Sequence, residues 1–295
     1  MQFDSHVHSM ASPDSEMNPG EAIAALKSKG YGTAFTEHVD YATPQPGQNP
    51  HAQDAPRGIG DFVCDFGIYP ALYKKYRGEG VLLGLEFGLT AAYLQVNKQI
   101  IAAGDYDFII GAIHGVDGLD IFNASKTAGA GSSANSESSA DSVTSGTVNN
   151  PDGGIARYLT YAREMVELAD YFDAFAHIDY IARYVPVAAE KFSYGNYPEE
   201  FDALLKALAE REIALEINTS RFLPDSKLNV PDAGQVMFEI CKRFAELGGR
   251  YCTIGSDAHT VATLARNFDT AHAIAENSGL TTVYYRERIP VPCGK

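Results

Sequence analysis

Residues 198–221, PEEFDALLKALAEREIALEINTSR, contain a helix pattern that is followed at once by a strand pattern. Proline is tolerated at the first position of a helix, and here two acidic residues follow it. The apolar side chains recur at helical spacing, at Phe201, Leu204, Leu205 and Leu208. This spacing predicts an amphipathic helix over 198–211, and the apolar segment after it predicts a strand over 213–218.

The same alternation of strand and helix extends along the whole chain. Helical patterns recur at 155–169 and 232–247. Seven apolar segments predict strands: 2–6, 32–37, 81–86, 107–113, 173–177, 213–218 and 252–256. Strands that alternate with helices favour a parallel sheet. Seven to eight such units in 295 residues indicate an α/β barrel, with a doubly wound open sheet as the main alternative.

Two segments interrupt this alternation. Residues 41–60 are rich in Pro, Gly, Gln and Asn and predict a long loop, in which His51 is expected to be solvated. Residues 123–154 contain a small, polar, low-complexity tract that cannot bury enough apolar surface to fold alone. Because the alternation resumes after this tract, we expect a flexible insertion in a single domain spanning 1–295.

Composition limits the possible partners and the location. The formal net charge is -15, and we find no Lys/Arg cluster, so binding to a long nucleic acid is not expected. No apolar run reaches the length of a membrane span, and the start of the chain does not resemble a signal peptide, which predicts a cytoplasmic protein. The four cysteines form no C-x-x-C pair, and they are expected to be buried, reduced thiols.

Histidines and carboxylates follow the predicted strands, and six of the eight histidines stand at these positions. The residues are His6, His8, Glu37, His38, Glu86, His114, His177, Asp179, Glu216, Asn218, Arg221, Asp257 and His259. In a barrel these positions converge at one end. A single histidine there is more often structural, but six beside carboxylates predict a metal site.

The types of ligand limit which metals are expected. Imidazoles and carboxylates without thiolates suit zinc, manganese or iron. The set is too large for one tetrahedral ion, so two or three divalent ions are expected, with Glu86 able to bridge two of them. Sites of this kind activate water for phosphoryl transfer.

Six motifs taken in order resemble the polymerase and histidinol phosphatase (PHP) superfamily, and its monofunctional histidinol-phosphatase branch in particular. They are H-x-H at 6–8, TEH at 36–38, Glu86, IHGVDGLDIF at 113–122, HIDYIARY at 177–184 and IGSDAH at 254–259. The resemblance runs from residue 1 to about 267. It implies a distorted seven-stranded (β/α)7 TIM-like barrel with a trinuclear metal site at the C-terminal ends of the strands.

The resemblance also implies a ligand set for each ion. The first ion would be held by His6, His8, Glu86 and Asp257, and the second by Glu86, His114 and His177. The third would be held by His38, His259 and Asp14. Many relatives have histidine where this chain has Asp14, and a carboxylate can bind the same ions.

The resemblance places Arg183 and Arg221 at positions like those of phosphate-binding arginines. A guanidinium can bind phosphate through two hydrogen bonds, as a site rich in acids requires. Ser220 is expected to bind substrate beside Arg221, and Asp179 or a bound water is the candidate proton donor. The alternative role for Arg183 is a surface salt bridge.

The activity implied is hydrolysis of a small phosphomonoester, with L-histidinol phosphate as the leading substrate. One alternative is a PHP-type phosphoesterase that acts on another small phosphate, such as a nucleotide. A second alternative, from another functional class, is a catalytically silent, metal-stabilised module that binds a partner. The sequence leaves the oligomeric state open.

Overall fold

The structure is a computed structural model, and it describes residues 1–41, 62–64, 69–78, 80–122, 151–222 and 232–294. The predicted loop, apart from Tyr41, and the part of the predicted insertion at 123–150 lie outside the described residues. His51 lies outside them as well. Within the described ranges, no helix combines the length and the apolar character needed to cross a membrane.

Most strands belong to one sheet. The strands are β1 (Gln2–Val7), β2 (Tyr31–Asp40), β3 (Phe62–Val63), β4 (Val81–Gly88), β5 (Phe108–Ala112), β6 (Gly115–Val116), β7 (Leu119–Asp120), β8 (Ala174–Phe175), β9 (Ala214–Asn218), β10 (Tyr251–Gly255), β11 (Thr281–Arg286) and β12 (Ile289–Pro292). The sheet order is β1-β2-β4-β5-β8-β9-β10-β11-β12, and β3 pairs with β2. Pairing is parallel from β1 through β11, while β3 and β12 pair antiparallel. The predicted α/β class with a mostly parallel sheet is confirmed.

Helices connect the parallel strands. They are α1 (Pro19–Ser28), α2 (Tyr69–Tyr73), α3 (Leu94–Ala103), α4 (Pro151–Leu168), α5 (Ile181–Tyr184), α6 (Pro186–Lys191), α7 (Pro198–Glu210), α8 (Ala233–Glu246) and α9 (Phe268–Ser278). Helix α7 begins at the predicted proline and buries the predicted stripe of Phe201, Leu204, Leu205 and Leu208. Helix α8 begins after Asp232, whose carboxylate accepts a hydrogen bond from Gly234 N at 2.9 Å.

The predicted insertion extends too far toward the C-terminus. Residues 151–154 belong to the first turn of α4 rather than to the low-complexity tract. The helical pattern becomes visible only at Ile155, because the turn before it contains Pro151 and two glycines. Proline suits a first helical turn, and the buried residues that follow hold the glycines in the helix.

A C-terminal hairpin extends the sheet beyond the seven expected strands, so the path through the sheet contains nine. Strand β11 alternates between buried and more exposed residues, and therefore lacks the continuous apolar run by which the other strands were predicted. Val283 and Tyr285 join an inner cluster that includes Phe3 and Phe108. The rings of Phe108 and Tyr285 stack with their centroids 5.1 Å apart.

The first and last of the seven expected strands, β1 and β10, contact each other through the backbone. Asp257 N donates to His6 O at 2.9 Å, and His8 N donates to Ala258 O at 3.0 Å. Val7 and Ala258 form an isolated parallel bridge. These contacts place the residues after β10 beside the C-terminal end of β1.

Candidate active site

The six strand-end histidines lie together, around the buried carboxylate of Glu86. Strands β1, β2 and β4 carry His6, His38 and Glu86, and the other ligand candidates follow the C-terminal ends of β1, β5, β8 and β10. In the parallel register, His38 stands directly opposite Glu86. The side chains of His6, His8 and Glu86 are buried, with 0% exposure for each residue.

Each oxygen of Glu86 faces a different group of imidazoles. Oε1 lies 2.8 Å from His177 Nε2 and 3.3 Å from His114 Nε2. Oε2 lies 2.8 Å from His38 Nδ1 and 3.5 Å from the Nε2 atoms of both His6 and His8. Glu86 therefore stands between two groups of potential metal ligands.

Asp257 completes one group, and Asp14 lies against another. Asp257 Oδ1 lies 3.6 Å from His6 Nε2 and 3.4 Å from His8 Nε2. Asp14 Oδ2 lies 2.8 Å from His259 Nε2 and 3.6 Å from His38 Nε2. The structure thus brings together all nine residues expected to hold metal ions.

The donor atoms fit divalent cations. The Nε2 atoms of His6 and His8 are 3.0 Å apart, and those of His114 and His177 are 3.4 Å apart. Two buried ring nitrogens that face each other cannot both present lone pairs without a proton or cation between them. Glu86 Oε2 is also buried, and among the described residues it has no partner with hydrogen-bond geometry.

Among the residues that the structure describes, three groups of potential ligands satisfy the distance expected of a metal site. Within each group the ligand atoms lie within 4.8 Å of one another: His6, His8 and Asp257; His6, Glu86 and His177; His8, His38 and His259. These groups share members, as is needed when neighbouring ions share ligands. The arrangement can therefore hold more than one cation.

Asp257 also links the imidazole cluster to Arg183. Its Oδ2 accepts from Arg183 Nη1 at 2.5 Å, while Oδ1 faces the histidines. Arg183 Nε and Nη2 are buried and, among the described residues, have no hydrogen-bond partner. Two fixed donors therefore remain for an anion next to the potential metal ligands.

A second pair of an arginine and a carboxylate, Arg221 with Asp179, lies after β8 and β9. Arg221 Nη1 donates to Asp179 Oδ2 at 2.8 Å, while Asp179 Oδ1 is buried without a partner in the described part of the chain. The hydroxyl of Ser220 is likewise buried and unpaired there. The residues expected to bind phosphate thus present several unpaired polar atoms.

Comparison with known proteins identifies the family. A family model described as "PHP domain" matches residues 4–220. A Clostridium acetobutylicum protein named "Probable histidinol-phosphatase" is 34% identical over 292 residues, which cover 98% of this chain and 98% of that protein. The chain belongs to the PHP domain family. This membership confirms the resemblance inferred from the motifs.

A second relative and a solved structure agree with this assignment. The "Histidinol-phosphatase" of Lactococcus lactis subsp. lactis is 25% identical over 260 residues, which cover 88% of this chain and 84% of that protein. A crystal structure of histidinol phosphate phosphatase from the same organism, complexed with zinc, L-histidinol and phosphate, matches with a TM-score of 0.75. It is 22% identical and covers 98% of each chain, so it shows that the fold is shared.

Two carboxylates that orient histidines in this PHP-family chain were not assigned that role by the sequence. Asp40 Oδ1 lies 2.9 Å from His114 Nδ1, and its Oδ2 lies 3.4 Å from His38 Nδ1. Glu216, which the strand-end pattern places as a supporting or core-rim group without a particular histidine as its partner, lies with Oε1 2.6 Å from His6 Nδ1. The signal for Asp40 was available, because it stands two residues after His38 on the same face of β2.

Gly88 provides the space for the contact between Asp40 and His114. A Cβ atom at Gly88 would lie 1.7 Å from Asp40 Oδ1 and 3.6 Å from His114 Nδ1. Any larger residue would therefore displace the carboxylate that orients His114.

Burial and charge act in opposite directions on the ionisable groups of the PHP site. Burial alone would raise the pKa of Glu86, but His6, His38 and His114 lower it well below its ordinary value. Burial alone would lower the pKa of His114, yet Asp40 and Glu86 raise it to about 10. Burial, reinforced by His38, lowers the pKa of His8 to about 3. The site therefore combines neutral and protonated imidazoles, and a cation must displace protons from the latter.

Two of the potential ligands have backbone conformations that are unusual for residues with a side chain. The φ angle is +52° at Asp257 and +21° at His177. Such conformations persist where the surrounding structure holds them, and they occur often at functional sites.

Proposed function

We propose that this PHP-family protein hydrolyses L-histidinol phosphate to L-histidinol and inorganic phosphate, as a step of histidine biosynthesis. The observation that carries the proposal is the position of Asp257, which faces His6 and His8 with one oxygen and Arg183 with the other. A phosphate bound to the free donors of Arg183 would therefore lie beside the metal ligands. The relatives named as histidinol-phosphatases support the choice of substrate.

Two or three divalent ions, of zinc, manganese or iron, are proposed as cofactors. The first is assigned to His6, His8, Glu86 and Asp257, the second to Glu86, His114 and His177, and the third to Asp14, His38 and His259. When bound, such ions supply an activated water and positive charge for the phosphoryl oxygens. The three groups of nearby donor atoms in the described residues contain seven of these nine residues, which supports a site for several ions. His114 and Asp14 are assigned from their contacts with Glu86 at 3.3 Å and with His259 at 2.8 Å.

The remaining residues are assigned to the phosphate and the leaving group. Arg183 and Arg221 bind the equatorial oxygens, whose charge they stabilise throughout the transfer. Ser220 contributes its unpaired hydroxyl to the same anion. Asp179 holds Arg221 through Oδ2, and its free Oδ1 is the candidate for transferring the proton to the leaving oxygen.

The seven strands β1, β2, β4, β5, β8, β9 and β10 are proposed to form a distorted barrel in a single domain spanning 1–295. The backbone contacts between β1 and β10 support closure. The hydrogen bond from Gln2 Nε2 to Gly294 O at 2.9 Å supports one domain, since it joins the two ends of the chain. The expected cytoplasmic location and the absence of nucleic-acid binding stay predictions.

Release of inorganic phosphate from L-histidinol phosphate tests the activity, with zinc or manganese added and a panel of nucleotide and sugar phosphates for comparison. We expect a kcat/KM in the usual enzyme range of ~10⁴–10⁸ M⁻¹s⁻¹ for histidinol phosphate, far above the panel. Equal, weak release from all substrates would remove histidinol phosphate but retain a metal-dependent phosphoesterase. No metal-dependent release from any substrate would favour the catalytically silent module.

A further inference from the structure

We propose that Glu216 is a positioning residue of the metal centre, because it holds His6 in the one tautomer that can bind a cation through Nε2. It also fixes the backbone of His177, a second potential ligand. The proposal rests on the proposed function only in requiring that this site binds a divalent cation.

The contact with His6 defines where the ring proton lies. Glu216 Oε1 is 2.6 Å from His6 Nδ1, and both side chains are buried. An ionised carboxylate can only accept, so His6 Nδ1 must carry the proton that it donates. In the neutral ring Nε2 then carries a lone pair, and it faces Glu86 Oε2 at 3.5 Å and Asp257 Oδ1 at 3.6 Å.

The second oxygen of Glu216 serves another part of the same site. Its Oε2 accepts from His177 N at 2.7 Å and from Asn218 Nδ2 at 3.1 Å. The first of these bonds fixes His177 at its positive φ, with its Nε2 2.8 Å from Glu86 Oε1. One carboxylate on β9 thus orients ligands on β1 and after β8.

Gly255 on the neighbouring strand makes room for this arrangement. A Cβ atom at Gly255 would lie 2.3 Å from Glu216 Oε1 and 2.5 Å from the Cβ of His6. Real Cβ atoms do not approach this closely, so even alanine would displace the carboxylate or the ring.

Glutamine at position 216 separates the hydrogen-bonding role from the packing role. Its amide has nearly the same shape, but one of its two ends is a donor. If the NH₂ group faces His177 N and Asn218 Nδ2, two pairs of donors oppose each other. If it faces His6, the ring must accept through Nδ1 and carry its proton on Nε2. The second arrangement leaves fewer unpaired donors, and it blocks Nε2 from binding a cation.

The matched control is Glu37→Gln, which changes another buried glutamate on β2, the strand that pairs with the His6 strand β1. Glu37 Oε1 is contacted by the hydroxyls of Ser9 and Tyr73, and Oε2 by the Ser12 hydroxyl. Ser9 N donates to both oxygens, at 3.3 Å to Oε1 and 3.1 Å to Oε2, and it keeps the Oε2 contact when Oε1 is replaced. An NH₂ group in place of Oε1 would meet hydroxyls, which can rotate to accept. Ser12 Oγ also lies 3.2 Å from His8 Nδ1, and it keeps Oε2 as its acceptor when the NH₂ group replaces Oε1, so no ring tautomer has to change in that orientation.

The experiment measures the zinc affinity of the metal-free full-length protein by competition with a chromophoric chelator. Burial lowers the pKa of His6, but Glu216, Glu86 and Asp257 raise it well above its ordinary value, so the tautomer is read at a pH high enough for the ring to be neutral. Chemical shifts of the ring nitrogens in ¹⁵N-histidine-labelled protein then report the tautomer of His6, and thermal unfolding reports the fold. We expect Glu216→Gln to weaken zinc binding by about 10–100-fold, the usual effect of losing such a partner. The proton of His6 should move to Nε2, and unfolding of the metal-free protein should change little. Glu37→Gln should change zinc affinity by less than about threefold, because His8, the ligand linked to Glu37 through Ser12, can keep its tautomer.

Glu216→Asp distinguishes the tautomer mechanism from simple packing. Aspartate is shorter but accepts at both oxygens, so it should bind zinc more tightly than the glutamine variant. If packing were decisive, the order would be reversed. Unchanged zinc affinity in Glu216→Gln, or a His6 proton that stays on Nδ1, would overturn the proposal.

If Glu216→Gln does not fold, Gly255→Ala takes its place, because it displaces the same carboxylate while Glu216 is retained. Weakened zinc binding is expected, and unchanged binding would count against the proposal. Failure of the proposed function would appear separately, as wild-type protein that binds zinc without releasing phosphate from histidinol phosphate.

Discussion

Arg183 offers the most direct test of how phosphate is bound. Its Nη1 is engaged by Asp257 at 2.5 Å, which leaves Nε and Nη2 as buried, unpaired donors within the described residues. A hydrogen bond between charged groups contributes about 1.5–3 kcal/mol, so two such bonds to a phosphoryl group contribute about 3–6 kcal/mol. Arg183→Ala should therefore lower kcat/KM by ~10²–10⁴-fold.

Arg183→Lys separates charge from geometry. Lysine keeps the positive charge but cannot present two coplanar donors, so a loss of ~10–100-fold is expected. The assay is phosphate release together with the inhibition constant of inorganic phosphate, which should weaken in parallel. The control is Arg163→Lys on α4, whose partner is the nearby Glu167 at 2.8 Å, and it should leave kcat/KM unchanged.

Two results would refute this reasoning about Arg183. A lysine variant within threefold of wild type would show that the paired donors are not used. An alanine variant that loses bound zinc in proportion to activity would show that Arg183 acts through Asp257 and not on phosphate.

Three further predictions concern the ligands, the protons and the fold. Replacing His8 or Asp257 with Ala should abolish phosphate release while the circular dichroism spectrum stays native, and near-normal turnover in either variant would contradict the metal assignment. In the metal-free protein, Asp40 and Glu86 raise the pKa of His114 from 6.5 to about 10, against the effect of burial. The contribution of this protonated ring to the free energy of unfolding is therefore complete below pH 6.5 and is lost as the pH rises through about 10. Zinc must displace such protons, so its affinity should increase with pH between 6.5 and 10, and calorimetry at several pH values that found no increase would refute this. Arg288→Ala removes the contact of the C-terminal hairpin with Asp173 at 2.5 Å and should lower the free energy of unfolding by about 2 kcal/mol; chemical denaturation that showed no loss would mean that the hairpin docks without this pair.

The sequence allowed prediction of those parts of the site that depend on strand ends. Eight of the nine ligand candidates stand at the end of an apolar segment, and in a parallel sheet the ends of such segments meet at one edge whatever their separation along the chain. Asp14 was expected only from the family resemblance. The contact between His6 and Glu216 joins residues 210 positions apart, and neither the pairing nor the tautomer that it sets follows from a local pattern. The C-terminal hairpin was missed for a related reason. Its turn places Glu287 and Arg288 at φ angles of +51° and +65°, which non-glycine residues seldom adopt.

Contacts with distant residues explain why the hairpin adopts this turn. Arg288 N donates to Asp107 O at 2.9 Å, and Glu287 N donates to Asp107 Oδ1 at 3.2 Å. Such contacts hold a strained turn that local preference would not select. Tertiary contacts therefore determine this hairpin, and apolar runs and turn residues in the local sequence do not reveal it.

Glu86 and Asp257 each serve more than one partner, and this sharing of negative charge has a functional consequence. Glu86 divides its oxygens between two groups of imidazoles, and Asp257 divides its oxygens between the histidines and Arg183. A site with a separate carboxylate for every partner would carry more negative charge and would repel a phosphate dianion at close range. Sharing keeps the number of acids low while every imidazole is still oriented. In a protein with a formal net charge of -15, this arrangement, together with the free donors of Arg183, allows an anion to approach the potential metal ligands.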